Sequence, residues 1–155
     1  QYQIWYACKA RNSFWYNPVF KVNTLDGKSV WRRSDYRCKR EDTPGTFTFT
    51  FMDNGVTSKE YWRIVDAADD LSWALYYYAG AAKSAGQMYV GAVLATPDGL
   101  WPPTREMERV EKALWEGCGC KMWEMMEVDN RPDVIANAPL QPLHDVVLKS
   151  PLILP

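Results

Sequence analysis

The chain has 155 residues, of which 47% are hydrophobic, 24% charged and 14% aromatic, and its formal net charge is −1. A disordered chain is excluded, because disorder is marked by low hydrophobicity and high net charge, and one globular domain is expected at this length. Nucleic-acid binding is not expected, since 18 basic residues are balanced by 19 acidic ones. No apolar run reaches the roughly 18 residues that a transmembrane helix needs.

The first hundred residues predict a series of short strands. The clearest is 46–51, where Thr and Phe alternate and three Phe rings share one face. Asn54-Gly55 then favours a two-residue hairpin turn, and Asp26-Gly27 is a second signal of this kind. The predicted strands are 4–7, 14–25, 29–36, 46–51, 56–65, 71–79 and 87–94. Short sequential connections indicate an antiparallel meander, and closure into an up-and-down barrel would remove its exposed edges.

A helix is predicted after Pro102 and Pro103, with Thr104 as its N-cap. Met107, Val110 and Leu114 recur at the spacing of one buried helix face. Gly117 and Gly119 should end the helix or kink it. The predicted fold is therefore all-β, an antiparallel barrel with one C-terminal α-helix.

Residues 129–155 predict an extended arm, because five of the ten prolines lie there and exclude a continuous helix or a central strand. The arm is nevertheless rich in Val, Leu and Ile. We therefore divide the chain into a domain, 1–128, and an apolar arm, 129–155, and expect the arm to pack on a partner protein. The expected docking residues are Ile135, Leu140, Leu143, Val147, Leu152 and Ile153.

The four cysteines leave two interpretations open. Cys8 and Cys38 could form disulfides with Cys118 and Cys120, which suits an oxidising compartment, or all four could be reduced and buried. A zinc site is not predicted, because only Cys118 and Cys120 are close in sequence. The sole histidine, His144, lies in the arm, which disfavours a Ser-His or Cys-His nucleophile.

Several short motifs occur in an order known from one family. They are Thr24-Leu25-Asp26, Arg33-Ser34, Trp62-x-Ile64, Tyr77-Tyr78-Ala79-Gly80, Tyr89-Val90-Gly91-Ala92-Val93 and Glu111-Lys112-Ala113. By these motifs, over about residues 8–116, the chain resembles the central lipocalin domain of violaxanthin de-epoxidase and its plastid relatives. The resemblance implies a chloroplast protein of the thylakoid lumen with a lipocalin barrel.

Enzymes of this family reduce xanthophyll epoxides with ascorbate at acid pH, and a carboxylic acid assists the opening of the epoxide. The resemblance places Glu60 at the position of one catalytic acid and Trp62 at that of the tunnel tryptophan. Tyr78 stands where the family has a tyrosine near the substrate. We predict that Trp62, Tyr78 and Tyr89 bind the ligand. Each of these side chains could instead be structural, Glu60 facing solvent and the aromatic rings filling a core.

Two departures from the family concern catalysis. Ala95 stands where a second catalytic tyrosine follows the Gly-Ala-Val segment, and residues 1–7 contain no Asp or Glu where the other catalytic acid is expected. The Gly-x-Trp signature of the first lipocalin strand is also missing. The sequence therefore predicts a domain that has lost catalysis.

We expect such a domain to be an accessory subunit of a thylakoid membrane-protein complex, a photosystem or an antenna. It should require no cofactor and no metal. One alternative is a xanthophyll-modifying enzyme, a de-epoxidase or a related isomerase, that uses Glu60 as its acid and ascorbate as its reductant. A second alternative is a carrier of a carotenoid or another apolar ligand.

Overall fold

The structure is a computed structural model that describes residues 2–7, 12–53, 55–82 and 86–130. The chain divides into two compact units, Gln1–Lys39 with Asp129–Pro155, and Arg40–Val128. Residues 131–155 lie outside the described residues, so the division into 1–128 and 129–155 stays a prediction.

The first unit is built around one long strand. The strands are β1 Tyr2–Ala7, β2 Ser13–Asn23, β3 Ser29–Arg33 and β4 Tyr36–Arg40. Strand β2 pairs antiparallel with β1 along one edge and with β3 and β4 along the other. Trp5 of β1 stacks on Tyr16 of β2, with ring centroids 4.2 Å apart, so cross-strand aromatic pairs stabilise this sheet.

Two local predictions in this unit were wrong. The single strand 29–36 is split after Arg33, where the Ser34 amide donates to the Pro18 carbonyl at 3.2 Å but Pro18 has no N–H to return the bond. The side-chain amide of Asn17 donates to the Ser34 carbonyl at 3.3 Å and also to the Asp35 carboxylate. The turn at Asp26-Gly27 is a five-residue loop between Asn23 and Ser29 rather than a two-residue turn. Within this loop the Thr24 amide donates to the Lys28 carbonyl at 2.8 Å.

The second unit is a four-stranded antiparallel meander. Its strands are β5 Thr46–Asp53, β6 Val56–Ala67, β7 Ala74–Ala82 and β8 Gln87–Ala95, each paired with the next. The predicted Asn-Gly hairpin is confirmed: Asp53 pairs with Val56, and Gly55 has the positive φ of 79° that the turn requires. The small-residue loop predicted from residue 80 starts later, because β7 continues through Gly80 to Ala82.

One face of this meander is covered by α1 Thr104–Ala113 and the π-helical turn Leu114–Cys118. Val110 and Leu114 are each 1% exposed and pack with Trp73 and Leu75, which confirms the predicted buried helix face. Pro103 rather than Thr104 occupies the cap position. Gly119, at φ 69°, ends the helical segment as predicted.

The predicted fold class is confirmed. The described chain is mostly antiparallel sheet followed by one α-helix, which is consistent with an all-β, lipocalin-like barrel. Among the described residues, no helix has the length and apolar character needed to cross a bilayer.

Candidate functional site

Strand β6 places a carboxyl group beside an indole on one face of the second unit. Glu60 and Trp62 are two residues apart, so their side chains point to the same side of the sheet. The Nε1 atom of Trp62 donates a hydrogen bond to Oε2 of Glu60 at 2.7 Å. Trp62 is 5% exposed, whereas Glu60 is half-buried. The predicted acid therefore does not simply face solvent beside Lys59.

Two glycines on the neighbouring strands make room for two tyrosines. Gly80 of β7 lies opposite Tyr89 of β8, and Tyr78 of β7 lies opposite Gly91 of β8. A Cβ atom on Gly80 would lie 2.2 Å from Cζ of Tyr89, and one on Gly91 would lie 2.5 Å from Cζ of Tyr78. Each tyrosine ring therefore lies directly over the backbone of a glycine.

Gly80 permits a side-chain contact between two strands that are not adjacent, β6 and β8. Glu60, Gly80 and Tyr89 form one row across β6, β7 and β8. Because Gly80 has no side chain, the ring of Tyr89 extends across β7, and its hydroxyl donates to Oε1 of Glu60 at 2.6 Å. The Glu60 carboxylate thus accepts one hydrogen bond from Trp62 on its own strand and one from Tyr89, two strands away.

These two bonds determine what Glu60 can do chemically. Oε2 accepts from an indole N–H, which is a donor only, and Oε1 accepts from a tyrosine hydroxyl. An ionised carboxylate satisfies both donors, since it is an acceptor at both oxygens. In this arrangement Glu60 is an acceptor at both of its oxygens.

Tyr78 completes the cluster next to Trp62. The two rings are stacked with centroids 5.4 Å apart and an interplanar angle of 25°. Burial raises the pKa of Tyr78, and the negative charge of Glu60 raises it further, with a smaller contribution from Cys120. Tyr78 therefore remains a neutral phenol in the folded protein over the physiological pH range.

The cluster belongs to a larger aromatic face on the side of the meander opposite the helix. The next strand contributes Phe47 and Phe49, which lie 6.0 and 6.3 Å from Trp62 and are 4% and 3% exposed. Burial raises the pKa of Tyr76, which lies 5.9 Å from Trp62. We call this surface the aromatic face; it consists of Phe47, Phe49, Phe51, Trp62, Tyr76, Tyr78 and Tyr89.

Two positions that the family resemblance assigns to catalysis hold no proton-transferring side chain. Ala95 is the last residue of β8, six positions from Tyr89, or roughly 20 Å along an extended strand. Its methyl group cannot donate or accept a proton. Strand β1, where the second acid was expected, contains no Asp or Glu in Tyr2–Ala7.

The predicted disulfides to Cys118 and Cys120 are not formed. Both residues are free thiols, and Sγ of Cys120 donates to the Cys118 carbonyl at 3.6 Å. Burial, and then the neighbouring Cys120, raise the pKa of Cys118 to about 11, so the thiolate that forms disulfides is disfavoured. Cys38 is buried in β4, and its Sγ contacts the Tyr36 carbonyl at 3.8 Å. Cys8 lies outside the described residues.

The other predicted site residues belong to the arm. The docking residues Ile135, Leu140, Leu143, Val147, Leu152 and Ile153 lie outside the part of the chain that the structure describes. Within that part, no group of three or more His, Cys, Asp or Glu residues is arranged to hold a metal ion.

Sequence reasoning found the four members of the cluster but missed how they are joined. The bond between Tyr89 and Glu60, and the glycines that permit it, were not predicted. A signal was present, because Tyr78-x-Gly80 and Tyr89-x-Gly91 repeat one spacing on consecutive strands. When two such strands pair antiparallel, each tyrosine can lie opposite the other strand's glycine.

Comparison with known proteins adds no relative. No family model matches the chain, and no curated protein matches it.

Proposed function

We propose that the chain is a catalytically silent, violaxanthin de-epoxidase-like lipocalin domain that acts as an accessory subunit of a thylakoid photosynthetic complex. The observation that carries the silent assignment is the double hydrogen bonding of Glu60. Its two oxygens accept from Trp62 and Tyr89 at 2.7 and 2.6 Å, so the one retained acid is held as an acceptor. An epoxide-opening acid must instead donate a proton to the leaving oxygen.

Two further features support the loss of catalysis. The phenol expected after the Gly-Ala-Val segment is replaced by Ala95, and no carboxyl group stands in β1. Removing one member of a set of residues that act as a unit costs most of the activity, since such effects are not additive. The domain should therefore not convert violaxanthin to antheraxanthin or zeaxanthin with ascorbate at acid pH.

The subunit role rests on the family resemblance and on the composition of the arm. An extended segment rich in proline gains no helix or sheet hydrogen bonds of its own, so ordering it requires contacts that bury its apolar side chains. Burying Leu143 or Leu152 would contribute roughly 1.5–3 kcal/mol each. A membrane-protein complex in the thylakoid, a photosystem or an antenna, is the partner we propose.

Association of the intact chain tests this role. Tagged wild-type protein and the variants Leu143→Asp and Leu152→Asp would be incubated with detergent-solubilised thylakoid complexes and separated by sucrose gradient. We expect the wild type to migrate with a photosystem or antenna band and the variants to remain at the top. Thr50→Asp, on the exposed surface of β5, is the control. Equal migration of wild type and the arm variants would overturn docking through the arm.

Binding of a carotenoid or another apolar ligand is the second candidate function, favoured by the aromatic face. Rings of Trp62, Tyr78 and Tyr89 are the surface type that a conjugated ligand contacts, and one carboxylate beside them could orient a hydroxyl group. A xanthophyll would quench tryptophan fluorescence, and Tyr78→Ala should weaken that quenching. Unchanged fluorescence upon addition of pigment would exclude this candidate.

A further inference from the structure

The chain is nearly neutral as a whole, but its basic and acidic residues are unevenly distributed along the sequence. Residues 1–39 contain eight Lys and Arg residues but only two acidic residues, whereas residues 40–128 contain eight Lys and Arg residues and fourteen acidic ones. A surface on which one sign of charge dominates attracts ligands of the opposite sign. The amino-terminal strands therefore provide a favourable environment for anions.

Both acidic residues of this segment are engaged by other side chains. Asp26 forms an ion pair with Lys28 at 2.7 Å, and Lys28 with the Thr24 side chain lowers the pKa of its carboxyl. Asp35 accepts a hydrogen bond from the Asn17 amide. Asp26 is thus paired with a cation of its own loop, and Asp35 is bonded to a neutral amide.

A pocket of about 290 Å³ lies between β2 and β4 and is lined by Asn12, Ser13, Arg37, Cys38 and Lys39. Arg37 and Lys39 are two residues apart on β4, so both side chains are on one face of the sheet. Ser13 of β2 pairs directly with Lys39. The lining residues thus include two cations, one hydroxyl and one amide and no carboxylate, while the larger part of the pocket surface is apolar.

The guanidinium group of Arg37 is oriented by the neighbouring strand. Its Nε atom donates to Oγ of Ser13 at 3.4 Å. Among the described residues, the Nη atoms of Arg37 and the Nζ atom of Lys39 have no hydrogen-bond or ion-pair partner. Both side chains are exposed, so a ligand can reach them from solvent.

We infer that this pocket binds a tetrahedral oxyanion, a phosphate or sulfate group. Arginine presents paired N–H donors that match two oxygens of such a group, and lysine adds a compact charge. The pocket volume of about 290 Å³ has room for one such group. The group could be a free anion or the headgroup of an anionic lipid, and its binding does not depend on the proposed subunit role.

Titration with inorganic phosphate and with sulfate tests the pocket directly. In nitrogen-15 NMR spectra of the full chain, the Arg37 side chain and the amides of Ser13 and Lys39 should shift in a saturable manner. Arg37→Gln and Lys39→Gln should each weaken binding by about tenfold, which corresponds to the loss of one hydrogen bond to a charged group. Lys28→Gln removes the same charge from the exposed 24–28 loop and should leave binding unchanged.

Vesicles distinguish the two sources of the oxyanion. Phosphatidylcholine vesicles with and without phosphatidylglycerol would be sedimented with the wild type and the three variants. Retention on anionic vesicles that is lost in Arg37→Gln and Lys39→Gln identifies a lipid headgroup, whereas shifts with phosphate alone identify a free anion. If the chain binds neither phosphate nor anionic vesicles, the proposed site is wrong. It is also wrong if Lys28→Gln weakens binding as much as Arg37→Gln and Lys39→Gln do, because the attraction to the charged segment is then non-specific.

Discussion

The hydroxyl of Tyr89 donates a 2.6 Å hydrogen bond to Glu60 across an intervening strand. The bond exists because Gly80, which lies between them in the same row, leaves the space that the tyrosine ring occupies. It determines the chemistry of the candidate site, since it engages the one oxygen of Glu60 that Trp62 does not.

Gly80→Ala should break this bond. A Cβ atom at this position would lie 2.2 Å from the ring of Tyr89, so the ring must move away from Glu60. We expect the free energy of unfolding to fall by about 1–3 kcal/mol, the cost of leaving a hydrogen-bonding group unsatisfied. Chemical denaturation would measure it.

A double-mutant cycle shows whether this loss comes from the bond itself. Tyr89→Phe removes the hydroxyl and should destabilise the wild type, but it should have little further effect in the Gly80→Ala background. Fully additive effects would mean that Gly80 acts only through the sheet backbone.

The pH dependence of stability should show the raised pKa of Tyr78. The folded state holds this proton more tightly than the unfolded state, so its contribution to stability is complete below pH 10.0 and declines as pH rises toward the folded pKa. Tyr78→Phe should lack this decline, which urea denaturation at a series of alkaline pH values would measure.

Ultraviolet titration should also show that Glu60→Gln lowers the pKa of Tyr78, although burial, the larger cause, keeps it raised. An unchanged pKa in Glu60→Gln would contradict the electrostatic contact.

Asp66 should make the opposite contribution at acid pH. Arg109 of α1 donates to both oxygens of Asp66, at 2.8 and 2.7 Å, and these bonds lower the pKa of the carboxyl. The contribution of the ionised Asp66 to the free energy of unfolding is present above pH 3.8 and is lost as pH falls through the pKa of Asp66 in the folded protein. Asp66→Asn should lower the melting temperature at neutral pH and have little effect in strong acid. The exposed Asp42→Asn is the control.

Cys118 should be an unreactive thiol. Its pKa of about 11 leaves almost no thiolate at pH 8. Iodoacetamide at pH 8 should therefore label Cys118 much faster in urea than in the native protein, as measured by peptide mass spectrometry. Equal rates in the two conditions would contradict the burial of this residue.

Local sequence patterns predicted most of the strands. The alternation of Thr and Phe over 46–51 and the Asn-Gly dipeptide determine β5 and its hairpin, because both act over a few neighbouring residues. The break between β3 and β4 was not predicted, since it depends on Asn17 and Pro18 of β2, which are distant in sequence from Ser34 and Asp35. Sequence analysis also placed Glu60, Trp62, Tyr78 and Tyr89 as candidates. It could not show that Glu60 is an acceptor at both oxygens, because that depends on the register of two hairpins.

Catalytic silence is the central claim, and pigment turnover tests it most directly. The purified full chain would be incubated with violaxanthin and ascorbate over a range of acid pH, and the pigments separated by chromatography. We predict no antheraxanthin or zeaxanthin above the level obtained without protein. Turnover that is present in the wild type and abolished by Glu60→Gln would show that Glu60 donates a proton, and would contradict the account.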